Sequence, residues 1–337
     1  MRKYLLSNDK NFYKANIHTH TNVSDGKFSP EEVKAHYLGQ GYSVVAFTDH
    51  GVFIPHNDLT DENFVALNGY EIEANALEAD ASGFKKTCHM CLIATKPDME
   101  TPVCWHREKY LFGNAIAYRE RVKNDPSIPD YERSHTCECV SDMMRLGREN
   151  GFFVSYNHPT WSYENYEDYI GYDNMHAMEI VNFGCVKLGY AEHNERVYDD
   201  MLRAGKKIYC LATDDSHNED HEFGGYIMLK AKKLEYECIT DALLNGDFYS
   251  SEGPEIKELY VEDGKVYIKT SDASLIRFTT GGRRAACVEA EEGKAVNEAS
   301  FDIFDNLDVH YFRITVVDKS GKCAYTNAYF TKDFAEN

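Results

Sequence analysis

Short apolar segments recur along residues 16–230, and most of them end in a histidine, an aspartate or a glutamate. Their lengths and their polar boundaries predict β-strands. The predicted strands span 16–20, 43–48, 65–72, 88–94, 152–157, 177–182, 208–213 and 226–230. Helix-like segments separate several of them, and alternating strands and helices predict a parallel sheet. Seven or eight such units favour an α/β barrel over an open sheet.

Three helices have recognisable ends. The segment 29–40 begins Ser-Pro-Glu-Glu, in which the serine can cap the helix and the proline suits its first turn. The segments 138–150 and 192–204 are each followed by a glycine, at Gly151 and Gly205. A glycine in that position is typical of a helix C-terminus.

The pattern changes after Gly253-Pro254. Residues 259–268 alternate in polarity around Asp-Gly, which predicts a hairpin with a two-residue turn, and residues 311–325 predict a second hairpin. We therefore expect a barrel domain over residues 1–254 and a small all-β, sandwich-like domain over residues 255–337. No catalytic cluster is evident in the second domain, so we expect a structural or docking role for it.

Residues 96–137 are too long for a simple connection between two strands. They contain basic and aromatic stretches at 105–112 and 118–123, although the protein as a whole is acidic. Two interpretations stay open. The segment is either a lid or specificity element over the active face, or an amphipathic helix with solvated lysines and arginines.

The net charge of −20 argues against a broad surface for extended nucleic acid, which would need clustered lysine and arginine. No apolar run approaches the roughly 20 residues of a membrane span. The first residues also lack the apolar length of a signal peptide. We therefore expect a cytoplasmic protein without a membrane partner. Most of its ten cysteines lie inside apolar segments, and the pair Cys88-x-x-Cys91 is interpreted as buried, reduced thiols rather than as a redox or zinc pair.

Potential metal ligands recur at the ends of the predicted strands. They are His18, His20, Asp25, His50, Glu71, His89, His158, Asp215 and His217. Any one of them alone would more often be an ordinary polar residue. Because the carboxyl ends of barrel strands meet at one face, the whole set predicts a polynuclear metal site there. Mixed imidazole and carboxylate ligands suit Zn, Mn or Fe better than Ca.

The motifs around these residues resemble those of PHP-domain metal-dependent phosphoesterases, a family related to the amidohydrolases. The matching motifs are His18-x-His20, Ser24-Asp25-Gly26, Thr48-Asp49-His50, Gly69-x-Glu71, His89, His158-Pro159 and Asp215-x-His217. The family includes histidinol phosphatases, PHP domains of bacterial DNA polymerases and nucleotide phosphatases. The resemblance covers residues 14–254. It implies a distorted (β/α)7 TIM-like barrel with two or three divalent ions at its carboxyl face.

The resemblance also implies a role for each ligand. One metal would be held by His18, His20, Glu71 and Asp215. Glu71 would bridge to a second metal held by His89 and His158. Asp25, His50 and His217 would complete a third site or share ligands with the second. Only the motif spacing favours Glu71 over Glu73 and Asp215 over Asp214, and Asp49 is expected to orient a ligand histidine.

The resemblance implies hydrolysis of a phosphate ester of a small molecule by metal-activated water. Three carboxylates contribute −3 and two or three divalent ions add +4 or +6, so the loaded site would carry +1 to +3. A phosphorylated substrate would therefore be attracted despite the acidic chain. Cations near the metals would set specificity. The candidates are Arg107, Arg119, Lys187, His193 and His221.

Alternative functions remain at this stage. The enzyme could be a histidinol-phosphate or nucleotide phosphatase, or an exonuclease that degrades short oligonucleotides from 3′ to 5′. A different class would be a non-catalytic, metal-stabilised scaffold that docks through residues 255–337. The complete ligand set favours an enzyme, because an idle site has no need to retain every ligand.

Overall fold

The structure is a computed structural model that describes residues 2–303 and 310–334. Its strands are β1 (Lys3–Tyr4), β2 (Asn11–Asn16), β3 (Val44–Phe47), β4 (Val65–Asn75), β5 (Thr87–Ala94), β6 (Phe152–Asn157), β7 (Ala177–Asn182), β8 (Tyr209–Thr213), β9 (Tyr226–Ala231), β10 (Phe248–Ser251), β11 (Ile256–Glu262), β12 (Lys265–Ala273), β13 (Leu275–Thr280), β14 (Ala286–Glu289), β15 (Val296–Asp302), β16 (Tyr311–Val317), β17 (Cys323–Thr326) and β18 (Tyr329–Phe330). Its α-helices are α1 (Pro30–Gly39), α2 (Ala115–Tyr118), α3 (Cys137–Glu149), α4 (Tyr166–Tyr169), α5 (Phe183–Lys187), α6 (Glu195–Arg203) and α7 (Tyr236–Asn245).

The described strands form two sheets, and the fold is a mixed α/β fold. The larger sheet has the order β14-β13-β16-β17-β10-β9-β2-β3-β4-β5-β6-β7-β8, and β18 also pairs with β16. The smaller sheet has the order β1-β11-β12-β15. Within the larger sheet, β2, β3 and β4 are parallel to one another, and so are β6, β7 and β8.

The prediction of a uniformly parallel sheet is wrong at β5 and β9. Strand β5 is antiparallel to both β4 and β6, and β9 is antiparallel to β2. Residues 76–86 join β4 to β5 without a helix, and a direct connection of this kind reverses the chain. The reversal places His89, early in β5, opposite Glu73 on one side and Asn157 on the other. His89 thereby reaches the same edge of the sheet as the carboxyl ends of its neighbours.

The two ends of the β2-to-β8 array approach each other at one point. The first predicted strand, 16–20, shares only Asn16 with β2, which spans Asn11–Asn16, and Thr19 forms an isolated parallel bridge with Ser216. The His20 N–H donates to the Ser216 carbonyl at 3.0 Å, and the Asp215 N–H donates to the His18 carbonyl at 3.0 Å. No described ladder closes the sheet, so the closed (β/α)7 barrel stays a prediction.

Apolar side chains on both faces of the strands explain this arrangement. Val44 and Ala46 of β3 belong to a buried cluster shared with residues of eight other strands and with α7. Val45 and Phe47 point the other way and pack against α1. Helix α7 contacts β4, β6 and β9. The apolar side chains are thus buried within the sheet and against the helices. The polar side chains that follow the strands therefore lie at the carboxyl ends of the strands.

The predicted helix ends are confirmed. Ser29 and Glu32 form a reciprocal capping box at the start of α1, with Pro30 in the first turn. Gly151 and Gly205 follow α3 and α6 with φ of +86° and +89°. The amphipathic helix considered for residues 96–137 is limited to short turns. Before α3 begins at Cys137, the segment contains α2 and a 3₁₀ turn over Arg119–Arg121.

The C-terminal strands extend the larger sheet. The predicted hairpins are confirmed: β11 and β12 are joined by Asp263-Gly264, and β16 pairs with β17. Strands of both sheets contribute to one buried apolar cluster, which includes Leu259 and Ile268 from the smaller sheet and Ile314 from the larger. Because β17 also pairs with β10, a separate C-terminal sandwich is not confirmed. The division at residues 254 and 255 stays a prediction.

All ten cysteines are free, and Cys88 and Cys91 are buried as expected for reduced thiols. Among the described residues, no helix is both long and apolar enough to span a bilayer.

A buried ion cluster joins β16 to α6. The Arg313 guanidinium donates to both carboxylate oxygens of Asp199, at 2.9 and 3.0 Å, and to Glu195 at 2.9 Å. The Tyr311 hydroxyl also donates to Asp199, at 2.9 Å. Only 2% of the Arg313 side chain is exposed. Removing the guanidinium would therefore leave a buried carboxylate without its counter-charge.

We predict that Arg313→Met lowers the free energy of unfolding by about 3 kcal/mol, because breaking one side of a buried ion pair strands the other charge. Differential scanning calorimetry measures the effect as a fall in Tm. The control is Arg196→Met, since the Arg196 side chain is 81% exposed in its ion pair with Asp200. Equal melting temperatures for the two variants would contradict the prediction.

Candidate metal centre

Glu71 lies at the centre of five imidazole rings. Its Oε1 is 3.3 Å from His18 Nε2, 3.3 Å from His89 Nδ1 and 3.2 Å from His158 Nε2. Its Oε2 is 3.1 Å from His50 Nδ1 and 3.5 Å from His20 Nε2. Glu71 is 1% exposed, so the carboxylate is sealed from solvent by its histidine neighbours. Strand β4 thus places this carboxylate where residues from four other chain segments converge.

Asp215 is the second shared carboxylate. Its Oδ1 is 3.2 Å from His18 Nε2 and 3.0 Å from His20 Nε2, and its Oδ2 is 3.9 Å from His158 Nε2. Asp215 lies two residues after the end of β8. Its backbone N–H donates there to the carbonyl of His18, next to Thr19. The isolated bridge between Thr19 and Ser216 therefore also brings Asp215 against the two N-terminal histidines.

A more exposed group lies above these residues. Asp25 carboxylate oxygens lie 3.8 Å from His20 Nδ1, 3.8 Å from His50 Nε2 and 3.5 Å from His217 Nε2. About a third of the Asp25 side chain is exposed. All nine side chains predicted as ligands are thus brought together at one site.

Four overlapping sets of these side chains have ligand atoms close enough to share an ion. They are His20 with Asp25, His50 and His217; His18 with His158 and Asp215; His50 with Glu71 and His89; and His18 with Glu71 and Cys91. Cys91 was not predicted as a ligand. Its sulfur accepts a hydrogen bond from the Asn157 side chain at 3.1 Å.

The donor atoms fit divalent metal ions. Within the described residues, His20 Nδ1, His50 Nδ1, His89 Nδ1 and Asp215 Oδ1 are buried without a hydrogen bond. A buried polar atom without a partner is costly, and native proteins rarely leave several together. Metal ions would satisfy these atoms, and imidazole with carboxylate is a donor set suited to transition metals. The residues therefore support divalent metal binding.

The electrostatics of the site show strong coupling between acids and imidazoles. Burial opposes ionisation of Glu71, but the surrounding histidines prevail and hold its pKa well below the usual range. Burial also opposes protonation of His158, yet its contacts with Glu71 and Asp215 raise its pKa to about 9. The pKa of His217 is likewise about 9, because contacts with Asp25 and Asp215 outweigh burial. The cluster therefore attracts positive charge, and metal ions would displace these protons.

The backbone is strained at two of the ligand positions. His158 has a φ of +25° and Asp215 a φ of +48°, in the left-handed region that non-glycine residues avoid. Such conformations cost of order 1–3 kcal/mol each. They are maintained here because the His158 N–H donates to Glu179 at 2.9 Å and the Asp215 N–H donates to the His18 carbonyl. Strain of this kind is concentrated at functional sites.

Asp49 does not contact a ligand histidine. It accepts hydrogen bonds from the backbone and side chains of Thr21 and Ser24, at 2.7 to 3.2 Å. The expectation that it orients a histidine is therefore wrong, and Asp49 instead holds the loop that carries Asp25. A Cβ at Gly26 would lie 2.5 Å from the His20 carbonyl oxygen, so glycine lets this loop approach the backbone closely.

Glu179 was missed from the sequence. It is fully buried on β7, and its Oε1 lies 2.7 Å from His18 Nδ1 and accepts from the Thr213 hydroxyl at 2.6 Å. Its Oε2 accepts from the His158 backbone at 2.9 Å and from the Asn182 side chain at 2.9 Å. Asn182 in turn donates to Asp215 at 3.1 Å. A lone glutamate inside the apolar run of β7 was the available signal.

The structure separates the two ambiguous acidic pairs. Asp214 lies outside the cluster and accepts from the Tyr37 hydroxyl and from three backbone N–H groups of residues 223–225. Burial raises its pKa to about 6, against the effect of these hydrogen bonds. Glu73 belongs to none of the four potential ligand sets and lies 3.4 Å from Arg133. Glu71 and Asp215 therefore remain the candidates for ligands.

A cavity of about 520 Å³ opens onto the cluster. Seven of the nine potential ligands line it, and the remaining lining residues are Glu73, Asn75, Phe112, Trp161, Gly184, Cys185, Leu188 and His221. Phe112 comes from the segment 96–137, so this insertion reaches the cavity. The size is ordinary for a pocket that binds a small molecule.

Of the five candidate substrate cations, only His221 lines the cavity. Arg107 is held by Asp130 and by backbone carbonyls of the insertion. Arg119 donates to the Arg107 carbonyl, and His193 pairs with Glu252 at 3.1 Å. Lys187 is exposed, with its ammonium 5.9 Å from the Phe183 ring.

We predict that Glu179→Gln weakens metal binding about 10- to 100-fold, because the amide cannot replace a carboxylate that accepts four hydrogen bonds and orients His18. The effect is measured as the amount of metal that the protein retains at increasing concentrations of a chelator. Circular dichroism checks that the variant is folded. Glu167→Gln, at an exposed position on α4, serves as the control. Equal metal retention in the two variants would refute the role given to Glu179.

Comparison with known proteins gives structural neighbours only. No family profile and no curated protein matches the sequence. A two-domain Bacteroides vulgatus protein containing a predicted PHP-like metal-dependent phosphoesterase is similar over 97% of this chain and 98% of its own, at 15% identity and a TM-score of 0.47. A candidate metal-dependent phosphoesterase from Bifidobacterium adolescentis covers 63% of this chain and 90% of its own, at 16% identity and a TM-score of 0.40.

A third neighbour is a Chromobacterium violaceum amidohydrolase whose structure contains sulfate and no metal. It covers 61% of this chain and 88% of its own, at 14% identity and a TM-score of 0.35. At such identities and TM-scores these likenesses define no activity for this chain. Its structural neighbours are PHP-like metal-dependent phosphoesterases and an amidohydrolase, which is the grouping that its motifs resemble.

Proposed function

We propose that this protein is a metal-dependent hydrolase that cleaves the phosphate ester of a small molecule. The observation that carries the proposal is the convergence of nine ligand-capable side chains at one site, seven of which line the same cavity. The site contains strained backbone at His158 and Asp215 and several buried polar atoms without a hydrogen bond, all of which cost folding free energy. Such features are expected where a site binds and acts on a ligand, and a fold without a reaction to perform does not require them.

The proposed ligand assignment is the one that the motif resemblance implies, and the four sets of neighbouring ligand atoms group several of these residues differently. Glu71, His18, His20 and Asp215 would hold one ion, and Glu71 with His89 and His158 a second. Asp25, His50 and His217 would hold a third or share in the second. When bound, Zn, Mn or Fe ions would lower the pKa of a water molecule and neutralise phosphoryl oxygens.

Residues behind the ligands would keep them in place during the reaction. The Glu179 carboxylate lies against Nδ1 of His18 and accepts a hydrogen bond from the backbone N–H of His158. The Asn182 side chain donates a hydrogen bond to Asp215. The Asn157 side chain donates to Glu71 at 2.8 Å. The positions of the ligands are therefore set before any substrate arrives, which lowers the reorganisation needed in the transition state.

Charge supports a phosphate ester as the substrate. The three ligand carboxylates and Glu179 contribute −4, while Glu73 is offset by Arg133. Two or three divalent ions add +4 or +6, so the loaded site carries 0 to +2 in a chain of net charge −20. An anionic phosphoryl group is thus attracted to the metals and to little else on the protein. The acidic surroundings and the cavity volume favour a small substrate over nucleic acid.

We expect the protein loaded with Mn or Zn to hydrolyse p-nitrophenyl phosphate, and excess chelator to abolish the reaction. Release of p-nitrophenol measures the rate. A panel containing histidinol phosphate, nucleoside monophosphates and short oligonucleotides then distinguishes the narrower alternatives. Full metal loading without turnover of any phosphoester would contradict the proposal and favour a metal-stabilised scaffold.

We predict that His20→Ala and Asp215→Ala each lower bound metal and the hydrolysis rate together, the rate by at least about 100-fold, because each removes a ligand that other ligands cannot replace. Elemental analysis of the purified variants and initial rates measure the two quantities. His36→Ala, on α1 and outside the cluster, is the matched control. Unchanged metal content and rate in both site variants would refute the ligand assignment.

A further inference from the structure

The cavity beside the cluster has an unusual charge distribution for a site that would bind a phosphate ester. Among the described residues that line it there is no lysine or arginine. Four lining side chains are carboxylates: Asp25, Glu71, Glu73 and Asp215. Three of these are potential metal ligands, and bound metal ions would balance their negative charge. Glu73 is the carboxylate that metal binding leaves facing the cavity.

Glu73 is held in place by the insertion. It is 5% exposed, and its Oε2 lies 3.4 Å from the Arg133 guanidinium. Arg133 itself is buried and is committed to the Cys104 carbonyl through two of its nitrogens. Arg133 lies outside the cavity lining. A second anion in the cavity would therefore meet the Glu73 carboxylate, with the balancing cation behind it.

The rest of the lining combines the polar residues Asn75 and His221 with apolar side chains, and two aromatic rings among these lie directly beside histidines of the cluster. The Phe112 ring is 4.9 Å from the His50 ring, and the Trp161 ring is 5.2 Å from the His89 ring and 5.0 Å from the His158 ring. Leu188 lines the same cavity and is 59% exposed, while Phe112 is 41% exposed. Large apolar side chains that are exposed in the lining of a cavity indicate a ligand that covers them.

We propose, on the basis of the proposed hydrolysis, that the substrate is a phosphate monoester whose leaving group carries an aromatic ring and no second anionic group. The ring would lie against Phe112 and Trp161, while the phosphoryl group faces the metal ligands. Glu73 would act as the selectivity residue that disfavours carboxylates and additional phosphates. Bisphosphates and oligonucleotides are then poor ligands, because each would place an unpaired negative charge near Glu73.

Binding of phosphonates tests this proposal without requiring turnover. Phosphonates carry the same anionic head group but cannot be hydrolysed. We expect benzylphosphonate to bind the Mn-loaded protein at least about tenfold more tightly than ethylphosphonate, because burying the ring removes apolar surface from water. We expect (4-carboxybenzyl)phosphonate to bind about tenfold more weakly than benzylphosphonate. Isothermal titration calorimetry measures all three.

Variants separate the contribution of the aromatic side chains from that of Glu73. Trp161→Ala and Phe112→Ala should each reduce the preference for benzylphosphonate over ethylphosphonate several-fold, while Ile116→Ala, an exposed apolar position in the same insertion, should retain it. Glu73→Gln should remove most of the penalty on the 4-carboxy compound. Equal binding of benzyl- and ethylphosphonate by the unaltered protein would overturn the proposal. Tighter binding of the 4-carboxy compound would also overturn it.

Measuring the turnover of benzyl phosphate by the same preparation distinguishes a failure of the proposed hydrolase from a failure of the inferred leaving group. Hydrolysis of benzyl phosphate, with equal binding of the two phosphonates, would support the hydrolase and overturn the inferred leaving group. A clear preference for benzylphosphonate without hydrolysis of any phosphate ester would support the aromatic pocket and contradict the hydrolase. Absence of binding by every phosphonate, together with absence of hydrolysis of every phosphate ester by the metal-loaded protein, would overturn both.

Discussion

The structure depends on keeping a buried carboxylate, Glu71, within reach of five imidazole rings. An ionised carboxylate that is nearly inaccessible to solvent is tolerated only when opposite charges or hydrogen-bond donors surround it. Those groups come from the ends of β3, β5 and β6 and from the segment after β2. Any slip of one strand would withdraw its histidine from the cluster and leave Glu71 uncompensated. The order and register of the strands are therefore coupled to the charge balance of the site.

A second tier of polar residues makes that arrangement rigid. Glu179 links His18, His158, Thr213 and Asn182, so a single side chain ties four chain segments together below the ligands. The same hydrogen bonds help to hold the unfavourable backbone conformation of His158. The apolar cluster shared by the inner strand residues and α7 lies beneath this tier. Packing thus sets the scaffold, and the buried hydrogen bonds set the precise direction of each ligand.

Much of the fold and site could be predicted, because the relevant signals are local. Alternating apolar segments and helix caps place most elements to within a few residues, and every predicted ligand lies in the cluster. The orientation of β5 was not predictable in the same way, since it depends on how residues 76–86 connect two strands. Glu179 was missed because a glutamate within an apolar strand gains its role from partners on distant segments. The predicted cations mostly lie elsewhere, because their ion-pair partners are also distant in sequence.

The amino-acid sequence by itself determined which chemistry is available: histidines and carboxylates that follow apolar strands, in an acidic chain with few basic clusters. That information is local, since it depends on residue type and on spacing along single segments. Only the tertiary structure decided which acids join the cluster, which carboxylate orients His18, and which side chains form the wall of the cavity. Those outcomes depend on contacts between residues far apart in the chain, where burial raises the cost of any unpaired charge and so selects one arrangement.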